Sequence, residues 1–142
     1  MPKVFFHSAD RPIPVTTRTL LKSSIESVFR KEKKALSAIQ YIFCSDDYLL
    51  QINRDFLKHD YYTDIISFGL SEPGQPVEAE IYISVDRVRD NANTLGQPFS
   101  KEILRVICHG ALHLCGYRDK KKSEITTMRE KEDHYLRLFE KK

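Results

Sequence analysis

Short runs of alternating apolar and polar residues, set among longer stretches of helical periodicity, predict an α/β or α+β domain built on a small sheet. The alternation is clearest over Glu78–Ser84, where Ala79, Ile81 and Ile83 face one way and Glu80 and Tyr82 the other. The helical period is clearest after Ser100, where Ile103, Leu104, Ile107, Cys108, Ala111, Leu112 and Leu114 form one broad apolar surface. At 142 residues the chain has the length for one hydrophobic core, so residues 1–142 are expected to form a single domain.

Taken in order, Val4-Phe5-Phe6 reads as a strand, and Pro12 and Pro14 mark the loop after it. From Thr16 or Thr17, the apolar residues Leu20, Leu21, Ile25, Val28 and Phe29 recur at helical spacing, predicting a helix to about Lys34. Ser37–Cys44, with Ile39, Tyr41 and Phe43 alternating against Gln40 and Ile42, predicts a second strand. Asp46 or Asp47 is a candidate N-cap for a helix through Leu49, Leu50 and Ile52. His59-Asp60-Tyr61-Tyr62 reads as a loop, Ile65–Phe68 as a strand closed by Gly69, and Ser71–Pro76 as an exposed turn or hairpin connection. Helices are expected over Val85–Ala92, after an N-cap at Ser100, and over Ser123–Phe139, where Ile125, Met128, Tyr135, Leu136, Leu138 and Phe139 form the packing side.

Lys and Arg number 23 against 20 Asp and Glu, a modestly basic balance. Its distribution says more than its sum: Arg118 with Lys120, Lys121 and Lys122 forms one basic cluster, and Arg30, Lys31, Lys33 and Lys34 form another. Each also reads as a solvated helix end. The three cysteines, Cys44, Cys108 and Cys115, lie in apolar stretches without metal-finger spacing and are expected to be buried free thiols. No segment is long and apolar enough to cross a bilayer, and the first residues lack a signal peptide's apolar run. A reducing, cytoplasmic compartment with no membrane partner is the expectation.

The segment His109-Gly110-Ala111-Leu112-His113-Leu114-Cys115-Gly116-Tyr117-Arg118-Asp119 carries the chemistry. Residues four apart on a helix lie on one face, so His109 and His113 can aim two imidazoles at one ion. Gly116 ends the helix and lets the chain reverse, returning Asp119 as a third ligand. Two imidazoles and a carboxylate suit Zn2+ and leave an open position, although Ni2+, cobalt or iron also fit such donors. The plainer reading makes both histidines partly buried helix residues hydrogen-bonded to neighbours. The familiar zinc-peptidase helix has Glu directly after the first His; Gly110 stands there instead, so standard peptidase chemistry lacks its general base. Gly110 also weakens a helix, which points to a close approach of substrate or backbone.

This segment closely resembles the signature of the YbeY family of bacterial rRNA-maturation endoribonucleases, His-Gly-x-Leu-His-Leu-x-Gly-Tyr-Asp-His. Asp119 stands where that signature has its third His, and Arg118 where it has Asp. Thr63-Asp64-Ile65-Ile66-Ser67-Phe68 resembles a second family segment, Asn53 and Asp60 fall at its usual offsets, and Ala79-Glu80-Ile81 resembles a third. The family usually has an Arg where this chain has Leu57. The resemblance implies an α+β fold, a small mixed sheet packed with helices around a cleft containing the metal site.

It also implies metal-assisted hydrolysis of single-stranded or ribosomal RNA, in rRNA maturation and ribosome quality control, with the small ribosomal subunit or its proteins as partners. His109, His113 and Asp119 would then hold one ion. Lys58, Arg118, Lys120, Lys121 and Lys122 are the candidate RNA-binding cations. His59 and Asp64 are the candidate acid–base groups. Tyr61, Tyr62 and Tyr117 are candidates for stacking on unpaired bases, or else rim packing. The motif's immediate surroundings lack the extra carboxylates of a two-metal nuclease. Two other readings stay open: an RNA-binding maturation factor with a structural metal, and a metallohydrolase of a non-RNA substrate.

Overall fold

The computed structural model describes residues 3–140. Its elements run β1 (Val4–Ser8), α1 (Arg18–Lys31), β2 (Leu36–Cys44), α2 (Asp46–Ile52), a π-helical turn (Asn53–Leu57), β3 (Ile65–Gly69), β4 (Val77–Ser84), α3 (Val85–Leu95), α4 (Phe99–Leu114) and α5 (Lys122–Glu140). The strands form a mixed sheet of order β1-β2-β4-β3. β1 pairs parallel with β2 and β2 with β4, while β3 folds back antiparallel on β4 through the Ser71–Pro76 connection. This is the mixed α+β sheet that the family resemblance implied. No described helix is long and apolar enough to cross a membrane.

Period-two alternation gives the sheet two apolar faces. Ile39, Tyr41 and Phe43 of β2 and Ile81 and Ile83 of β4 are buried in one core with residues of α1, α3, α4 and α5. Cys44 and Ile66 point the other way, into a smaller cluster under Leu49 of α2. The Tyr41 hydroxyl donates to the Ile107 carbonyl at 3.1 Å, hooking the middle of α4 onto the sheet. All three cysteines are buried and free, and burial pushes the Cys44 and Cys115 thiols up to about 12.

Several boundaries differ from the sequence expectation. α1 stops at Lys31 because Lys33 takes a left-handed φ of 59°. Ser45, not Asp46 or Asp47, caps α2: its side chain accepts the Tyr48 N–H, and the two aspartates occupy the first turn. α4 begins one residue before Ser100, with Pro98 at the cap position and no side-chain cap. On α5, Met128, Tyr135, Leu136 and Phe139 are buried as expected, but Ile125 is exposed.

The end of α4 matters most for the site. The Tyr117 N–H donates to the Leu112 carbonyl and the Gly116 N–H to the His113 carbonyl, with Gly116 at φ 108°. This closing pair is a Schellman motif, which needs the left-handed conformation that glycine adopts without strain. It swings the chain back over the helix it has just left.

Candidate active site

His109 is the centre of the site. Its Nδ1–H donates to Glu132 Oε2 of α5 at 2.6 Å, and its Nε2 lies 3.2 Å from Asp119 Oδ2. The chain reversal at Gly116 therefore returns Asp119 to His109, as the spacing predicted. Glu132 is itself held from behind, because Arg105 donates to its Oε1 at 2.8 Å and to Asp133 at 2.7 Å. A cleft of about 370 Å³ opens over these groups, lined also by Thr63, Asp64, Ile65, Glu102 and Arg129.

Burial and charge set the protonation states in opposite senses. Burial works against a charged His109, but the Glu132 hydrogen bond and the Glu132, Asp119 and Asp64 charges outweigh it and raise the imidazole's pKa. Burial likewise disfavours the Glu132 carboxylate, yet hydrogen bonds from His109 and Arg105 hold its pKa below the usual range. Asp64 goes the other way: burial pushes its carboxyl up, against the backbone N–H groups of Asp64 and Ile65 and the nearby His109. Glu102 is raised as well, by burial first and also by Asp64.

The remaining sequence-predicted residues are scattered. His113 is exposed one turn beyond His109 and makes no side-chain hydrogen bond among the described residues. No set of three His, Cys, Asp or Glu side chains stands in metal-holding geometry among the described residues. His59 is exposed outside the cleft, stacked on Tyr61 and sharing a 2.8 Å hydrogen bond with its hydroxyl. Lys58, at φ 59°, turns its ammonium to the Asp55 carbonyl. Arg118 borders a separate hollow with Tyr117, Ser123 and Thr127. Lys120 and Lys121 give their backbone N–H groups to Glu124, and their side chains and that of Lys122 are exposed. Of the two acid–base candidates, Asp64 alone lines the cleft.

The sequence reading missed Glu132, Arg105, Arg129 and Glu102. Glu132 had a legible signal, since it sits four residues after Met128 and four before Leu136, inside the buried stripe of α5. The site also gathers four carboxylates, Asp64, Glu102, Asp119 and Glu132, which the immediate surroundings of the His motif do not reveal. Gly110 finds its reason in packing. A Cβ there would stand 3.0 Å from Ile81 Cδ1 and 3.1 Å from Ile65 Cδ1, so the glycine lets α4 settle against β3 and β4.

The donor chemistry fits a divalent ion. With Nδ1–H committed to Glu132, His109 in its neutral form would present the Nε2 lone pair, the usual arrangement of a carboxylate behind a ligating imidazole. The 3.2 Å between His109 Nε2 and Asp119 Oδ2 is close to the edge of about 3.3 Å of a tetrahedron whose ligands lie ~2.0 Å from a zinc ion.

Comparison with known proteins agrees with this reading of the fold. The sequence profile of the endoribonuclease YbeY family matches residues 4–140. The endoribonuclease YbeY of Cytophaga hutchinsonii is 47% identical over 95% of this chain and 94% of its own length. That of Chlorobaculum tepidum is 43% identical over 96% of each. The solution structure of TM1509 from Thermotoga maritima superposes with a TM-score of 0.68 at 28% identity, covering 96% of this chain and 88% of that one. A match that runs from β1 to α5, with relatives this similar over almost their whole length, means that the chain belongs to the endoribonuclease YbeY family.

Proposed function

We propose that residues 1–142 act as one domain that hydrolyses single-stranded RNA during rRNA maturation, with His109, His113 and Asp119 holding one divalent ion, Zn2+ in the first instance. The observation that carries this is His109 fixed between Glu132 and Asp119 at the floor of a cleft that also holds Asp64 and Arg129. His113 lies four residues beyond His109 on α4, one turn along the same helix, which is the spacing that supports it as the third ligand. A bound ion would supply Lewis acidity toward the scissile phosphodiester.

The chain's own groups divide the remaining work. Glu132 keeps His109 in one tautomer and orientation. Arg129, exposed and without an ion-pair partner among the described residues, offers its guanidinium to a phosphate oxygen. Asp64, its carboxyl raised by burial, is poised to accept a proton from the attacking water. Substrate RNA within an assembling small ribosomal subunit fits this role.

The test pairs the native chain with His113→Ala. Bound metal is measured in both, and both are incubated with single-stranded and structured ribosomal RNA. Metal-dependent cleavage by the native chain that follows the substitution supports the proposal. Stoichiometric metal and tight RNA binding without cleavage would overturn it in favour of an RNA-binding factor.

A further inference from the structure

The two basic runs, remote in sequence, meet in the fold. Glu32 stands between Lys31 and Lys33 at the end of α1, and Tyr117, next to Arg118, donates its hydroxyl to Glu32 Oε1 at 2.6 Å across 85 residues of chain. The other carboxylate oxygen accepts from the Tyr135 hydroxyl and, at 3.4 Å, from Lys131. Lys131 also sits 5.6 Å over the Tyr117 ring. This knot draws inward the one carboxylate that interrupts the Arg30–Lys34 run. The Glu32 carboxylate, 12% exposed, already has its charge paired with Lys131 and two tyrosine hydroxyls inside this knot rather than with the flanking cations.

Arg30, Lys31, Lys33 and Lys34 are all exposed, and none has an ion-pair partner among the described residues. The same holds for Arg118 and for Lys120 to Lys122. Arg30 and Lys31 also complement the dipole at the end of α1, but that role accounts for only the last turn. Glu124 lies among the second group, where its carboxylate is engaged by backbone N–H groups of Lys120 and Lys121. The combined surface starts at the cleft. Asp119 touches His109, and Tyr117, which touches α1, is two residues away, at most about 7.6 Å between Cα atoms.

We propose that the end of α1 and the loop after α4 form one phosphate-tracking surface, along which an RNA strand seated in the cleft continues from Arg118–Lys122 onto Arg30–Lys34. The inference rests on the endoribonuclease reading for the strand's starting point. Its electrostatics are those of single-strand binding: a basic track that follows the backbone without reading bases.

The experiment compares binding of a short single-stranded RNA that fills only the cleft with one several times longer, over a range of salt concentrations. The native chain is set beside Arg30→Gln/Lys31→Gln/Lys34→Gln and, separately, Lys120→Gln/Lys121→Gln/Lys122→Gln. Each lost phosphate contact removes about 0.7 from the slope of log affinity against log salt. Each triple variant is therefore expected to flatten the long-RNA slope by about 2 and to lose most of the gain in affinity that length confers. An α1 variant that folds as the native chain does, by circular dichroism, and keeps the native long-RNA slope overturns the proposal, whatever the loop variant does. Cleavage is followed in parallel on the short RNA. Its absence in the native chain would count against the nuclease assignment alone, because the slope is read from binding.

Discussion

Glu132 gives the sharpest prediction. Its carboxylate accepts from both His109 and Arg105 and is almost fully buried. Glu132→Ala leaves Arg105 with Asp133 as its one remaining acid partner among the described residues and removes the hydrogen bond that fixes the His109 ring. Removing one member of a buried ion pair costs about 3–5 kcal/mol. Because Asp133 at 2.7 Å still shares the Arg105 charge, the lower end applies, about 3 kcal/mol. For a chain of this size that corresponds to a fall in Tm of roughly 10 °C, measured by calorimetry in a chelator. Independently, loss of the group that orients a ligating imidazole should weaken Zn2+ binding by about 10- to 100-fold, read by competition with a chromophoric chelator. Glu132→Gln, which keeps the shape and one acceptor oxygen, should recover part of both. A large fall in Tm with unchanged zinc affinity would refute the positioning role and leave Glu132 as a brace between α4 and α5. An unchanged Tm would refute the buried ion pair itself.

Arg129→Gln should lower kcat/KM on RNA by roughly tenfold or more, the worth of one charge-assisted contact, and Arg129→Lys should restore part of it; equal kinetics in all three would remove Arg129 from the site. Gly110→Ala gains up to about 1 kcal/mol of helix propensity but presses on Ile81 and Ile65, which costs about 1–3 kcal/mol. A net loss of about 1 kcal/mol in urea denaturation is expected, and a more stable variant would contradict the close packing. Burial disfavours the Glu32 carboxylate, but the Tyr117 and Tyr135 hydroxyls and Lys131 outweigh it and depress its pKa. Its contribution is thus present above the unfolded-state pKa and is lost as pH falls through the carboxylate range. Glu32→Gln should accordingly be destabilised at neutral pH, with native and variant melting temperatures converging in acid; a constant gap would argue against the linkage.

The sheet was largely legible because its strands alternate cleanly: Ala79, Ile81 and Ile83 lie on the buried face as their period requires. The His109–Asp119 contact was legible too, since a helix face and a glycine reversal are local devices. What could not be read locally depends on docking between distant elements. Arg129 and Glu132 reach the cleft because α5 packs on α4, and no spacing in the sequence states that contact. His59 is a candidate by residue type alone, since an imidazole can accept a proton near neutral pH, yet the π-helical turn and the left-handed Lys58 carry it outside the cleft and onto Tyr61. The N-cap of α2 was misassigned for a plainer reason. Asp46 and Asp47 favour a first turn as much as a cap, and Ser45 directly before them competes for the capping position.

The packing of α5 on α4 also has a consequence for the order of synthesis. A growing chain that has reached Leu114 already contains β1 to β4 and the helix bearing His109. It lacks Asp119 on one side of the imidazole and Glu132 on the other, along with the Arg129 that faces the cleft. The site is therefore completed only when α5 has emerged and docked. Until then the His109 ring has neither Asp119 nor Glu132 beside it. For an enzyme whose substrate class includes the RNA of the machine that makes it, that delay separates being translated from being able to cut.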